Sequence, residues 1–178
     1  MTPSGQEVAT EISPQGGVVV GDDGSAGAEA ALRFALDEAR RRNTALHVVR
    51  AWRISTALSL GQPVVGYVPA LAELEAVTLR DLRSRVDHIL GHPEDVDVHI
   101  HAVHAPAAEA LVTASRSADV VVVGSRGLGG FASLVLGSVA DQCTRHCTSP
   151  VIVVRLPAPA VVEEAEARAG PEAVAVRR

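Results

Sequence analysis

The sequence predicts an α/β fold: a doubly wound, five-stranded parallel sheet in the order 3-2-1-4-5, with helices on both faces. Three observations carry this. Short valine-rich runs alternate with longer segments of helical period, giving β-α-β-α-β-α-β-α-β across residues 17–155. Strict alternation implies parallel strands joined by helical crossovers. The first and fourth strands are unbroken apolar runs, Val18-Val19-Val20 and Val120-Val121-Val122-Val123, as expected of central strands buried on both faces. The third alternates instead, Val96, Val98 and Ile100 against Asp97, His99 and His101, which suits an edge.

The elements follow in order. Residues 17–21 read as a strand closed by Gly and Asp, and Ser25 is placed to cap a helix over 26–42. Leu32, Ala35, Leu36 and Ala39 share one face of that helix. Asn43-Thr44 turns the chain into a second strand over 45–52, and a long connection over 53–69 carries Gly61, Pro63, Gly66 and Pro69. A second helix over 70–90 is stopped by Gly91 and Pro93. A strand over 96–103, a helix over 107–115 behind Pro106, and a strand over 119–123 come next. A helix over 138–147 and a strand over 151–154 close the domain. Residues 1–16 are polar and read as a flexible leader; residues 156–178, rich in Ala, Pro and Glu, read as a disordered tail.

Composition excludes several functions. With 47% hydrophobic residues the chain can bury a core, and with 2% aromatics that core must be built from Val, Leu, Ile and Ala. A net charge of -5 gives no reason to expect nucleic acid or an anionic membrane as partner. No run is long enough for a membrane span and no signal core opens the chain, so a cytoplasmic location is expected. The basic residues are all arginine. Without lysine there is no P-loop and no Schiff-base chemistry. Cys143 and Cys147 are the only cysteines. Four apart on a helix, they suit packing better than a disulfide.

The chemistry-bearing feature is a glycine loop after the fourth strand: Gly124, two residues, Gly127, nine residues, Gly137, then Ser138. A buried strand, a glycine turn and a helix start make a site for phosphate, because glycine lets N–H groups approach an anion and the helix N-terminus adds partial positive charge. In the order 3-2-1-4-5 the topological switch lies between strands one and four, and ligands bind at the carboxyl ends of the strands flanking it. Those ends are Asp22-Asp23 and the Gly124 loop. The overlapping Gly127-Leu128-Gly129-Gly130-Phe131-Ala132 fits a dinucleotide fingerprint but stands on the wrong strand, and Gly129 and Gly130 read as turn formers. His99 and His101 share a strand face without a visible third metal ligand.

The element order, the Gly124–Ser138 spacing, the opening Val20-Gly21-Asp22-Asp23-Gly24-Ser25, the strand Leu46-His47-Val48-Val49 and the closing Pro150-Val151-Ile152-Val153-Val154-Arg155 together resemble the universal stress protein family, in its nucleotide-binding branch. The resemblance covers 17–155 and departs from the family at His104-Ala105-Pro106, where Gly often precedes the proline. It implies roles for individual residues. Gly124 and Gly127 offer N–H groups to phosphates, and Gly137 and Ser138 do so from the helix start. Asp23 accepts from the adenosine portion, with helix capping as its alternative role. Val48 lies against the adenine, and Arg126 is either a phosphate contact or a solvated side chain.

The function so implied is a regulatory protein of the bacterial stress response that binds an adenine nucleotide, ATP with magnesium foremost and AMP or cyclic AMP as alternatives. A slow ATP hydrolase and a dimeric interaction module are the other readings. Strand Val151–Val154, an apolar edge, is expected to pair with a second copy. A further protein partner is expected but not named by the sequence.

Overall fold

The computed structural model describes residues 8–55, 69–129 and 135–156. Most of the connection expected over 53–69, the Gly130-Phe131 part of the loop, and the tail from 157 lie outside the described residues. In chain order the elements are β1 (Val18–Gly21), α1 (Ala26–Arg42), β2 (Leu46–Trp52), α2 (Leu71–Leu90), β3 (Val98–His104), α3 (Ala107–Ala114), β4 (Val120–Gly124), α4 (Ser138–His146) and β5 (Val151–Val154). The sheet is parallel throughout, in the order β3-β2-β1-β4-β5. This is the predicted order, with β3 at one edge and β5 at the other.

Alternation along each strand splits the core into two layers. Val18 and Val20 of β1, Leu46 and Val48 of β2, and Val120 and Val122 of β4 face Leu32, Ala35 and Leu36 of α1 and Leu82, Val86 and Ile89 of α2. Val19, Val49, Val121 and Val123 face Leu111 and Ala114 of α3 and Ala140 and Cys143 of α4. β1 and β4 are therefore sealed on both sides, which is why their runs contain no polar residue.

Helix α1 begins where Ser25 Oγ accepts from Ala28 N–H at 3.1 Å. It ends at Asn43, in the left-handed region at φ 51°, whose N–H bonds to the carbonyls of Ala39 and Arg40. The expected flexible leader is corrected from residue 8 onward. Val8 is buried with Trp52, Leu74 and Ala102. Ala9 N–H donates to Glu75 at 2.9 Å, and the Ala9 carbonyl accepts from His104 N–H at 2.8 Å. Ile12 packs on the second layer. Two isolated apolar anchors in a polar stretch carry no periodicity, so the sequence hid them.

Candidate functional site

A cavity of about 560 Å³ opens at the carboxyl ends of β1 and β4, where the switch point was predicted. Three kinds of surface line it. An apolar wall is made by Val49 and Ala51 of β2, Ala107 and Leu111 of α3, and Val123. The glycine loop contributes Gly124, Arg126, Gly127, Leu128 and Gly129. The start of α4 contributes Gly137, Ser138, Val139 and Ala140, and the β1–α1 loop contributes Asp22 and Asp23.

The structure brings together six of the seven predicted residues: Asp23, Gly124, Arg126, Gly127, Gly137 and Ser138. Val48 is the exception. Its side chain is fully buried in the layer under α1 and α2, on the opposite face of the sheet. The wall is formed by Val49, one position on, and by Ala51, two further along the same face. β2 is apolar on both faces here, so sequence alone did not fix its parity.

Each glycine has its own reason. At Gly124 an added Cβ would stand 2.6 Å from the Gly27 carbonyl carbon, so this glycine lets the first turn of α1 lie against the end of β4. At Gly127 an added Cβ would collide with Asp23 Oδ2. At Gly137 the nearest atoms would be at 3.4 Å or beyond, ordinary contact. Gly27, in the first turn of α1, was missed by the sequence reading. A glycine there is the signal of close approach that could have found it.

The donors differ from expectation in one place. Gly137 N–H already donates to the Ser125 carbonyl at 2.8 Å, so it is not offered to the cavity. Gly137 is the N-cap of α4 and supplies no side-chain cap to that helix. The first-turn N–H groups of Ser138, Val139 and Ala140 therefore start a helix whose positive end lines the cavity. Arg126 is exposed on the cavity rim and has no ion-pair partner among the described residues.

The two aspartates have separate work. Asp23 Oδ1 accepts from Ser25 N–H at 3.0 Å, and Oδ2 accepts from Leu128 N–H at 3.0 Å, joining the β1–α1 loop to the glycine loop. Asp22 is fully buried and is paired with Arg50 and, at 3.1 Å, with Arg85 Nε. Arg50 also pairs with Asp81. These ionic partners, drawn from β2 and α2, were not foreseen.

Away from the cavity, His47 joins His99 and His101 as a third imidazole. His47 Nδ1 stands 3.1 Å from His101 Nε2, and the His47 and His99 rings stack at 4.8 Å and 15°. His99 Nε2 lies 3.0 Å from Asp97. The close His47–His101 nitrogen pair suits an imidazole–imidazole hydrogen bond, and among the described residues no cluster of three or more His, Cys, Asp or Glu is arranged to hold a metal ion. Burial, with His47 and His99 nearby, pushes the His101 pKa down to about 4; burial and His99 lower that of His47. Cys143 and Cys147 are both free thiols, and burial beside Cys147 pushes the Cys143 thiol up to about 12, inert as a nucleophile.

Residues 17–155 match the family model described as the universal stress protein family. The chain belongs to that family. It is 36% identical over 139 residues to a universal stress protein of Mycolicibacterium smegmatis, covering 78% of this chain and 45% of that one. The chain spans under half the length of the first curated relatives that it matches. Among solved structures it is similar in fold to the universal stress protein UspA from Lactobacillus plantarum, at 19% identity and TM-score 0.63, over 81% of this chain and 100% of that one. A universal stress protein solved in complex with cAMP is 26% identical with TM-score 0.55, over 82% of this chain and 100% of that one. No described helix is long and apolar enough to cross a membrane.

Proposed function

We propose that this universal stress protein is a cytoplasmic regulatory protein of the bacterial stress response that binds an adenine nucleotide, ATP with magnesium, at the switch-point cavity. One observation carries the reading: a helix start without a side-chain cap, an arginine with no ion-pair partner among the described residues, and a carboxylate line one apolar-walled cavity. Its volume of about 560 Å³ falls in the range of small-molecule sites, roughly 300–1,000 Å³. The N–H groups of Ser138 and Val139 and the Arg126 guanidinium suit phosphate oxygens. The Asp23 carboxylate suits ribose hydroxyls, and Val49, Ala51 and Leu111 suit a purine face. Ser138 lines the cavity, and its hydroxyl would supply an oxygen ligand to a phosphate-bound magnesium.

AMP or cyclic AMP is the second reading, favoured by the engagement of Gly137 N–H with Ser125, which removes one phosphate donor. The cAMP complex of the relative at 26% identity supports the same alternative. Hydrolysis is not part of the proposal. Asp22 is held between two guanidinium groups and Asp23 already accepts two N–H bonds, so neither stands as a free general base. The working principle is occupancy. Helix α4 runs from the cavity towards β5, whose four residues are each only half-buried at the sheet edge. Pairing of that edge with a second copy gives a homodimer whose partner-binding surface ligand occupancy adjusts.

Calorimetric titration with ATP, with and without magnesium, and with AMP, cyclic AMP and GTP tests this. Saturable binding of an adenine nucleotide, with GTP much weaker, is expected. Absence of binding by every nucleotide to folded, ligand-free protein overturns the reading in favour of an interaction module.

A further inference from the structure

The β1–α1 loop carries Asp23 to the cavity, yet what fixes that loop lies mostly outside the cavity. Gly24, at its centre, has φ +88° and nothing within 4 Å of where a side chain would begin, so packing does not hold it. The loop is gripped at its ends instead. Arg85, on α2, donates from Nε to Asp22 Oδ1 at 3.1 Å and from Nη2 to the Ser25 carbonyl at 2.9 Å. Asp22 and Ser25 bracket Asp23. The other Asp22 oxygen pairs with Arg50, which pairs in turn with Asp81, one helical turn before Arg85. Four charged side chains thus tie the loop to β2 and α2, and Asp22 among them is fully buried.

Resting on the reading of the cavity as a nucleotide site, we propose that Arg85 is a positioning residue: through Asp22 and Ser25 it sets where the Asp23 carboxylate stands, and so sets the affinity for the nucleoside part of the ligand. Arg85 does not line the cavity. Its hold is firm because the Asp22 carboxylate is buried and, without Arg85, would keep only Arg50 as a charged partner in a low dielectric. Arginine suits the task, since its planar fork donates in two fixed directions where an ammonium is a single point. The grip is transmitted over one short step. Asp23 Oδ1 accepts from Ser25 N–H, so displacement of Ser25 moves the carboxylate and loosens its second bond to Leu128 N–H.

The test is a double-mutant cycle read by calorimetry with ATP, on the native chain, Arg85→Met, Asp23→Ala and the double variant, with NMR amide shifts of Ser25 and Leu128 in the native chain and Arg85→Met. Arg85→Met is expected to weaken ATP about tenfold in the native background and less than about twofold in the Asp23→Ala background. The Ser25 and Leu128 amide protons are expected to move upfield in Arg85→Met as their bonds to the carboxylate lengthen, with the amides of the α4 helix unmoved. Unchanged affinity, or losses that multiply in the double variant, overturns the proposal, because a general loosening would act without regard to Asp23. If the native chain binds no nucleotide, the nucleotide reading falls and the amide shifts alone decide: movement upholds the positioning of Asp23 by Arg85, and stillness overturns it. Arg85→Lys, which keeps the charge but reaches one acceptor at a time, serves the same cycle should Arg85→Met not fold, with an intermediate loss expected.

Discussion

At Gly127 a single added carbon would occupy the place of Asp23 Oδ2, whereas at Gly137 the same carbon meets nothing closer than 3.4 Å. The two glycines look equivalent in the loop pattern and differ in this one respect. Gly127→Ala is expected to displace the carboxylate and weaken ATP by about tenfold or more, the scale of a lost charge-assisted bond. Gly137→Ala is expected to leave affinity within about threefold, since alanine fits at φ -73° without a close contact. It is expected to lower stability by about 0.5–1 kcal/mol, because alanine is a poorer N-cap than glycine. Calorimetry on both variants reads the contrast. Gly124→Ala belongs to stability instead. Its Cβ would press on the Gly27 backbone, which has no side chain to swing away. A loss of about 2–3 kcal/mol is expected from overpacking and is measured by urea unfolding. The loop spacing was legible in the sequence, but these separate reasons were not, because each depends on an atom brought in from α1 or from the β1–α1 loop.

Element by element, the sequence was most readable where one face had to be apolar. The unbroken valines of β1 and β4, the Ser25 cap and the Asn43 end of α1, and the alternation of β3 all mark structure that local physics dictates. β2 was harder. Val48 and Val49 are both fully apolar neighbours, and only the register of β2 against β1, Val20 opposite Val48, shows which one faces α1. The β2 side chain that lines the cavity is therefore Val49, not the Val48 that the sequence suggested. Two substitutions separate the faces. Val48→Ala is expected to cost about 2 kcal/mol of stability, as a buried methyl deletion with its cavity does, and to leave ATP affinity unchanged. Val49→Phe is expected to fill the cavity wall and abolish binding in a chain that still melts cooperatively. Thermal unfolding and calorimetry on the pair check both. The ionic ties of Asp22 to Arg50 and Arg85 were equally out of reach, since residues 28 and 63 positions apart meet only once the sheet and α2 are assembled.

For the whole molecule, the imidazole stack between β2 and β3 makes stability depend on pH. His101 and His47 have folded pKa values below the ordinary 6.5, His101 at about 4. Between those values the unfolded chain binds more protons than the folded one, so stability rises with pH. Its contribution is intact above about pH 6.5 and is lost as pH falls towards 4. The melting temperature is expected to drop between pH 7.5 and pH 5, and His101→Gln is expected to flatten that dependence. Sheet order places the cavity at the carboxyl ends of β1 and β4, and α4 leads from it to the β5 edge, so the proposed binding and the proposed pairing share one helix, α4. The central claim is that an adenine nucleotide occupies this cavity. Amide chemical-shift mapping during ATP titration tests it most directly. The expected result is saturable perturbation of Asp22 and Asp23, Val49 to Ala51, Gly124 to Gly129 and Ser138 to Ala140, while a second groove, lined by Arg83 and Val86 of α2, His92, and Val98 and Ile100 of β3, stays silent. Perturbations confined to that groove, or none at saturating ATP, would contradict the account.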